Sequence, residues 1–123
     1  MPHVVIKGPI SVEDVWLAFT PLEFAEGGVR FKAEEALLSR DKQAVVIRSL
    51  VIERGFVKCF LVRMAQREGG GEFTITLDKL TRPELSDGVK RILGLYAWQI
   101  LSSEPQASVG ATNIPDLIGA PKS

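Results

Sequence analysis

The feature that most constrains this chain is a run of four β-rich segments separated by short breaks with turn chemistry. Residues 29–38, 44–53, 56–67 and 72–79 are rich in Val, Ile, Phe and Thr, whose branched or aromatic side chains suit a pleated, half-buried surface. Between them stand Ser39-Arg40-Asp41-Lys42-Gln43, then Arg54-Gly55, then Glu68-Gly69-Gly70-Gly71. Breaks this short make hairpins, because a parallel crossover needs a dozen residues or more. The expectation is a four-stranded antiparallel meander.

Loop length sets the cross-strand partners, and the apolar pattern checks them. A two-residue turn at Arg54-Gly55 puts Glu53 opposite Phe56, so Val45, Ile47 and Val51 share a face with Phe60, Val62 and Met64. A four-residue loop at 68–71 puts Ile75 and Leu77 opposite Met64 and Val62, and a five-residue loop after Leu38 adds Val29, Phe31 and Leu37. The three turns agree on one apolar face. The reverse face is mixed: Val46, Leu50, Ile52, Val57, Cys59 and Leu61 fill its middle, with Arg30 and Lys32 at one edge and Thr74 and Thr76 at the other. The same register predicts a charged belt, Glu34–Arg48–Arg63–Asp78, crossing all four strands. Such a belt is either a solvated ion network or, with the apolar middle beside it, part of a face that docks a partner. The first helix or a second copy of the chain would cover that face.

The flanks carry helix signals. Residues 3–7 read as a short strand stopped by Gly8-Pro9. Ser11 then caps a helix with Asp14 in its first turn, Ile10 and Val15 as a hydrophobic staple, an apolar stripe of Val12, Val15, Trp16 and Phe19, and Thr20-Pro21 as the stop. Residues 22–28 read as a loop. A second helix starts at the capping box Thr81-Arg82-Pro83-Glu84, with Leu80 and Leu85 as staple. Its stripe of Leu85, Val89, Ile92, Leu93, Tyr96 and Ile100 covers the sheet. Leu95, Trp98 and Leu101 fall on another side near Gly94, so the helix either packs twice or offers this side to another subunit, with Trp98 a favoured anchor. From Ser102 the chain is rich in Ser, Pro, Gly and Ala, the composition of a mobile tail. Within it the apolar stretch 114–118 folds back onto the domain or serves as a docking peptide. The fold class is α+β, with one domain at 1–101 and a tail at 102–123: a short strand, a helix, the meander and a covering helix.

Composition narrows function mainly by exclusion. A chain of 123 residues makes one domain, and 15 basic residues balance 15 acidic ones, which argues against general polyanion binding. No run of 18 apolar residues spans a bilayer, residues 1–10 lack the layout of a signal peptide, and the single Cys59 permits no internal disulfide. These point to a soluble, cytoplasmic protein. The only histidine is His3, so a Ser or Cys nucleophile lacks its usual base. Cys59, between Lys58 and Phe60, reads as a small strand hydrophobe. Metal ligands are not clustered, and neither Glu34-Glu35 nor Glu13-Asp14 forms a calcium loop. Gly69-Gly70-Gly71 precedes a strand and lacks the Lys-Ser/Thr of a phosphate cradle. No cofactor, metal or catalytic residue is predicted, although a carboxylate-only site using Glu53 or Asp78 stays open.

The residues therefore favour a non-catalytic binding or assembly domain. It would act as a homodimer or dock a protein partner through the mixed face or the C-terminal helix, with Glu34, Arg48, Arg63, Asp78, Leu95 and Trp98 as binding residues. One alternative is a sheet that binds single-stranded nucleic acid with Arg30, Lys32, Arg48 and Arg63. It suffers because Phe31, Phe56, Phe60 and Phe73 fall on the other face. The other alternative is a small enzyme or ligand carrier with a pocket between sheet and helices.

Overall fold

The computed structural model describes residues 1–67 and 71–122. In chain order the elements are β1 His3–Lys7, α1 Val12–Ala18, β2 Leu22–Glu26, β3 Val29–Leu38, β4 Ala44–Glu53, β5 Phe56–Gln66, β6 Glu72–Leu77, α2 Asp87–Ser103 and β7 Ser108–Thr112, followed by a 3-10 turn, Pro115–Leu117. All strands join one seven-stranded antiparallel sheet in the order β2-β3-β4-β5-β6-β1-β7. The sheet curls into a half-barrel. Helix α2 lies in its trough, touching β1, β3, β4 and β6. This corrects the expected four-stranded meander under one covering helix. Among the described residues no helix is long and apolar enough to cross a membrane.

Two of the three expected registers hold along their whole length. Glu53 pairs with Phe56, Ile47 with Val62 and Val45 with Met64 across β4–β5, while Val62 pairs with Leu77 and Met64 with Ile75 across β5–β6. Most of the loop expected at 68–71 lies outside the described residues. Across β3–β4 the expected pairs Phe31–Val51 and Ala33–Ser49 form, but a β-bulge between Ala33 and Glu35 shifts the rest by one. A bulge adds one residue to one strand and so reverses which side later residues face. Leu37, expected in the core, is thus 50% exposed, and Ala36 and Leu38 pack against the core in its place.

Three strands extend the sheet beyond the meander. Residues 22–28, read as a loop, form β2 and a two-residue hairpin to β3, with Gly27 at φ 55° and Gly28 at φ 80°. A hairpin turn with two positive φ angles matches the right-handed strand twist and favours glycine at both positions. Strand β1 sits between β6 and β7, and Val4, Val5 and Ile6 are all buried. The segment expected as a mobile tail supplies β7 and the 3-10 turn, which seats against α2. An added Cβ on Gly94 would lie 1.9 Å from the Leu117 carbonyl oxygen, so only glycine lets the turn approach this closely.

Helix α1 begins as expected, with Ser11 Oγ accepting from the Asp14 amide. Helix α2 does not. Its N-cap is Ser86, because the Thr81 hydroxyl of the expected capping box accepts from the Leu61 amide of β5 instead. Leu80 and Leu85 are consequently exposed and form no staple. The α2 N-terminus is closed by the Glu53 carboxylate, which accepts from the Ser86 hydroxyl and the Gly88 amide and pairs with Lys58 Nζ at 3.1 Å. Burial pushes this carboxyl up, but the hydrogen bonds from Ser86, Lys58 and Gly88 outweigh it and leave it below its ordinary value. An anion here also meets the positive end of the helix dipole.

Candidate ligand-binding cavity

Helix α1 is too short to seal the trough. It buries only Val12 fully, and Val15 and Phe19 are left half-covered above the inner sheet face. The resulting cavity of about 420 Å³ is walled by Ile10, Val15, Phe19, Leu22, Ile47 and Met64, with Tyr96 and Ile100 from α2. Its polar residues are Ser11, Asp14, Thr20, Gln99, Ser103 and Glu104. The link from β1 to α1 is held over β5 by the Gln66 amide, which donates to Ile10 O at 3.2 Å and accepts from the Val12 amide at 3.4 Å. Trp16 Nε1 donates to Ala36 O at 3.2 Å and fixes the far side of α1 to β3.

Tyr96 and Ser49 form the buried polar contact of this region, with hydroxyl oxygens 2.7 Å apart, and Ser49 Oγ donates to Ile47 O. Tyr96 therefore donates to Ser49. Burial pushes the Tyr96 phenol above its ordinary value, so the phenol stays neutral. Tyr96→Phe is expected to lower stability by about 1 kcal/mol, since Ser49 keeps its bond to Ile47; urea denaturation measures it. Among the described residues no group of three potential metal ligands converges. No Lys, Arg or His among the described residues lines the cavity. Among the described residues its ionisable lining groups besides Tyr96 are the carboxylates of Asp14 and Glu104.

A second cleft, about 430 Å³, opens at the other end of α2 beside Glu26, Glu53, Asp87 and Arg91. Its Glu26, Glu53 and Arg91 side chains are occupied by the fold. Arg91 Nε and Nη2 donate to the two Glu26 carboxylate oxygens at 2.9 Å each, and Nη1 and Nη2 donate to Leu117 O, Gly119 O and Ala120 O. All five guanidinium N–H groups are thereby used.

The residues singled out from sequence do not gather into one site. Arg48 lies on the outer sheet face, 3.8 Å from both Glu34 and Glu35, with all three side chains about half exposed. Exposed pairs of this kind contribute about 0–1 kcal/mol each. Arg63 is exposed on the same face, but the second half of the belt is absent. Asp78 turns into the loop after β6, where its carboxylate accepts from the Leu80 amide at 2.8 Å. Among the described residues it makes no ion pair. Arg63 instead acts weakly on Asp41, whose carboxyl is held below its ordinary value first by the Ser39 hydroxyl and then by the Gln43 amide. Leu95 is 0% exposed and Trp98 half-buried, because sheet and tail enclose α2 between them. Phe31, Phe60 and Phe73 are buried in the core and cannot stack a nucleic-acid base, whereas Phe56, expected with them, is 71% exposed.

The cavity walls went unassigned in the sequence because α1 contributes only seven residues, and nothing local shows which strands lie beneath it. Arg91 left one signal: it lies four and seven positions before Leu95 and Trp98, on the second apolar side of α2. A charge on a side due for burial requires a partner. No described protein family, curated protein or solved structure matches this chain.

Proposed function

We propose that this chain is a non-catalytic binding domain that carries a small, largely apolar molecule between α1, the inner sheet face and the C-terminal half of α2. The observation that carries this reading is the cavity itself. Its volume of about 420 Å³ falls within the ~300–1,000 Å³ of small-molecule sites, which combine apolar walls with a few polar groups. The exposed Cys59, the only cysteine, suits a reducing, cytoplasmic setting.

Titration with a neutral polarity-sensitive dye tests it. Saturable binding with a blue-shifted emission is expected. Ala18 lines the cavity yet is exposed, so Ala18→Trp fills the mouth without burying a polar group. This variant is expected to lose at least about tenfold in affinity, a change of 1.4 kcal/mol, while its unfolding midpoint stays put. A dye signal that never saturates, or one indifferent to Ala18→Trp, overturns the reading.

A second reading is self-assembly through the outer sheet face. Both helices occupy the other side, and on this one Leu50, Ile52 and Leu61 are half-buried while Cys59 and Val57 are exposed, Val57 at 58%. A dimer of this kind uses the sheet alone, Leu95 being enclosed by its own chain. A native mass of one chain across micromolar concentrations removes it.

A further inference from the structure

We infer that the molecule held in the cavity is a small amphiphile with a cationic, ammonium-type head; this rests on the cavity reading above. Three independent features of the mouth favour positive charge. The first is its pair of carboxylates, Asp14 on α1 and Glu104 at the end of α2. Neither enters an ion pair among the described residues; Lys42 of the β3–β4 loop pairs with Glu13, at 3.6 Å. The Asp14 carboxylate accepts no hydrogen bond among the described residues, and Glu104 accepts one, from the Gln106 amide at 3.0 Å. The second is the absence of Lys, Arg and His from the cavity lining among the described residues. The third is the carboxyl end of α2, which ends at Ser103 beside the mouth with no basic residue in its last turn.

The negative end of a 17-residue helix attracts a cation placed near its last carbonyls. The opposing end of α1 does not cancel this. It is a single short helix whose first turn already contains the Ser11 cap, Glu13 and Asp14. Apolar walls below and acidic groups above thus describe a molecule with a hydrocarbon body and a protonated amine. A carboxylate-headed lipid would place like charges together at the same rim.

Calorimetric titration of the full chain with n-octylamine, n-octanol and n-octanoate at low ionic strength separates this inference from the reading beneath it. Octylamine is expected to bind about tenfold more tightly than octanoate, a difference suited to partly exposed charges and one helix end, with octanol between them. Raised salt should narrow the gap. In an Asp14→Asn, Glu104→Gln variant the octylamine advantage should fall to threefold or less while octanol affinity holds. Equal binding of all three, or tighter binding of octanoate, overturns the cationic head and leaves the cavity reading standing. Failure of all three to bind overturns both. The comparison of the three ligands decides the matter on the unsubstituted protein, even if the variant does not fold.

Discussion

Replacing Arg91 with alanine is expected to lower the unfolding free energy by about 3–5 kcal/mol, the cost of leaving one partner of a buried charge pair alone. The Arg91 and Glu26 side chains are only 9% and 18% exposed. Without the guanidinium, the carboxylate keeps only the Lys122 amide as a hydrogen-bond donor. Leu117 O, Gly119 O and Ala120 O also lose their donor, so the last residues should detach together with the loss in stability. Arg91→Lys should not restore it, because an ammonium cannot bridge a carboxylate and three carbonyls in one plane. Guanidinium denaturation with limited proteolysis measures both effects. An Arg91→Ala protein as stable as its parent, with its C-terminal segment still protected, would show that something else holds the tail.

The same contact sets a pH dependence. Hydrogen bonds from Arg91, opposed by burial and reinforced by the Lys122 amide, hold the Glu26 carboxyl at about 2 against its ordinary 4.5. The folded value lies below the unfolded one, so the contribution is complete above about pH 4.5 and lost as pH falls toward 2. At 1.36 kcal/mol per unit this is about 3 kcal/mol. Glu53 acts in the same direction. Glu26→Gln should flatten most of the acid limb of the stability curve, and an unchanged limb would assign it to other carboxylates.

Gly94→Ala carries the second large effect, and its sign is the informative part. In an exposed helix interior this change stabilises by about 1 kcal/mol. Here the new methyl carbon would meet the Leu117 carbonyl oxygen at 1.9 Å and its carbon at 2.5 Å. Backbone cannot swing aside as a flexible side chain does, and Arg91 Nη1 holds the same oxygen at 2.6 Å. Overpacking costs about 1–3 kcal/mol and occasionally more, so a net loss of roughly 2 kcal/mol is expected in a denaturant titration, with earlier proteolysis within 115–122. A neutral or stabilised variant would mean that the 3-10 turn is not seated on α2. Because both substitutions act on one carbonyl, their effects should be less than additive.

What the sequence revealed depended on distance along the chain. The hairpin at Arg54-Gly55 pairs residues a few positions apart, and its register follows from turn length alone, as does the apolar face of β4 and β5. The β3 bulge defeated the same reasoning locally, since one extra residue between Ala33 and Glu35 has no compositional mark. The β2 hairpin did carry its signal, Gly27-Gly28 beside alternating Leu22 and Phe24, but those residues resembled a loop after the Thr20-Pro21 stop. The walls of the cavity and the Arg91–Glu26 contact were beyond reach. Each joins residues from distant elements, and their positions depend on how far the sheet curls, which is decided by the whole set of strands.

The placement of β1 has a consequence for how the chain is made. Its two hydrogen-bonding neighbours, β6 and β7, are both synthesised after β2–β5, and His3 ends up bonded to Thr112 and Asn113. At about 5–20 residues per second, β1 waits on the order of several seconds with both backbone edges open. The β2–β5 hairpins can assemble meanwhile, so completion of the sheet awaits β6 and β7, a long-range closure of the kind that slows folding.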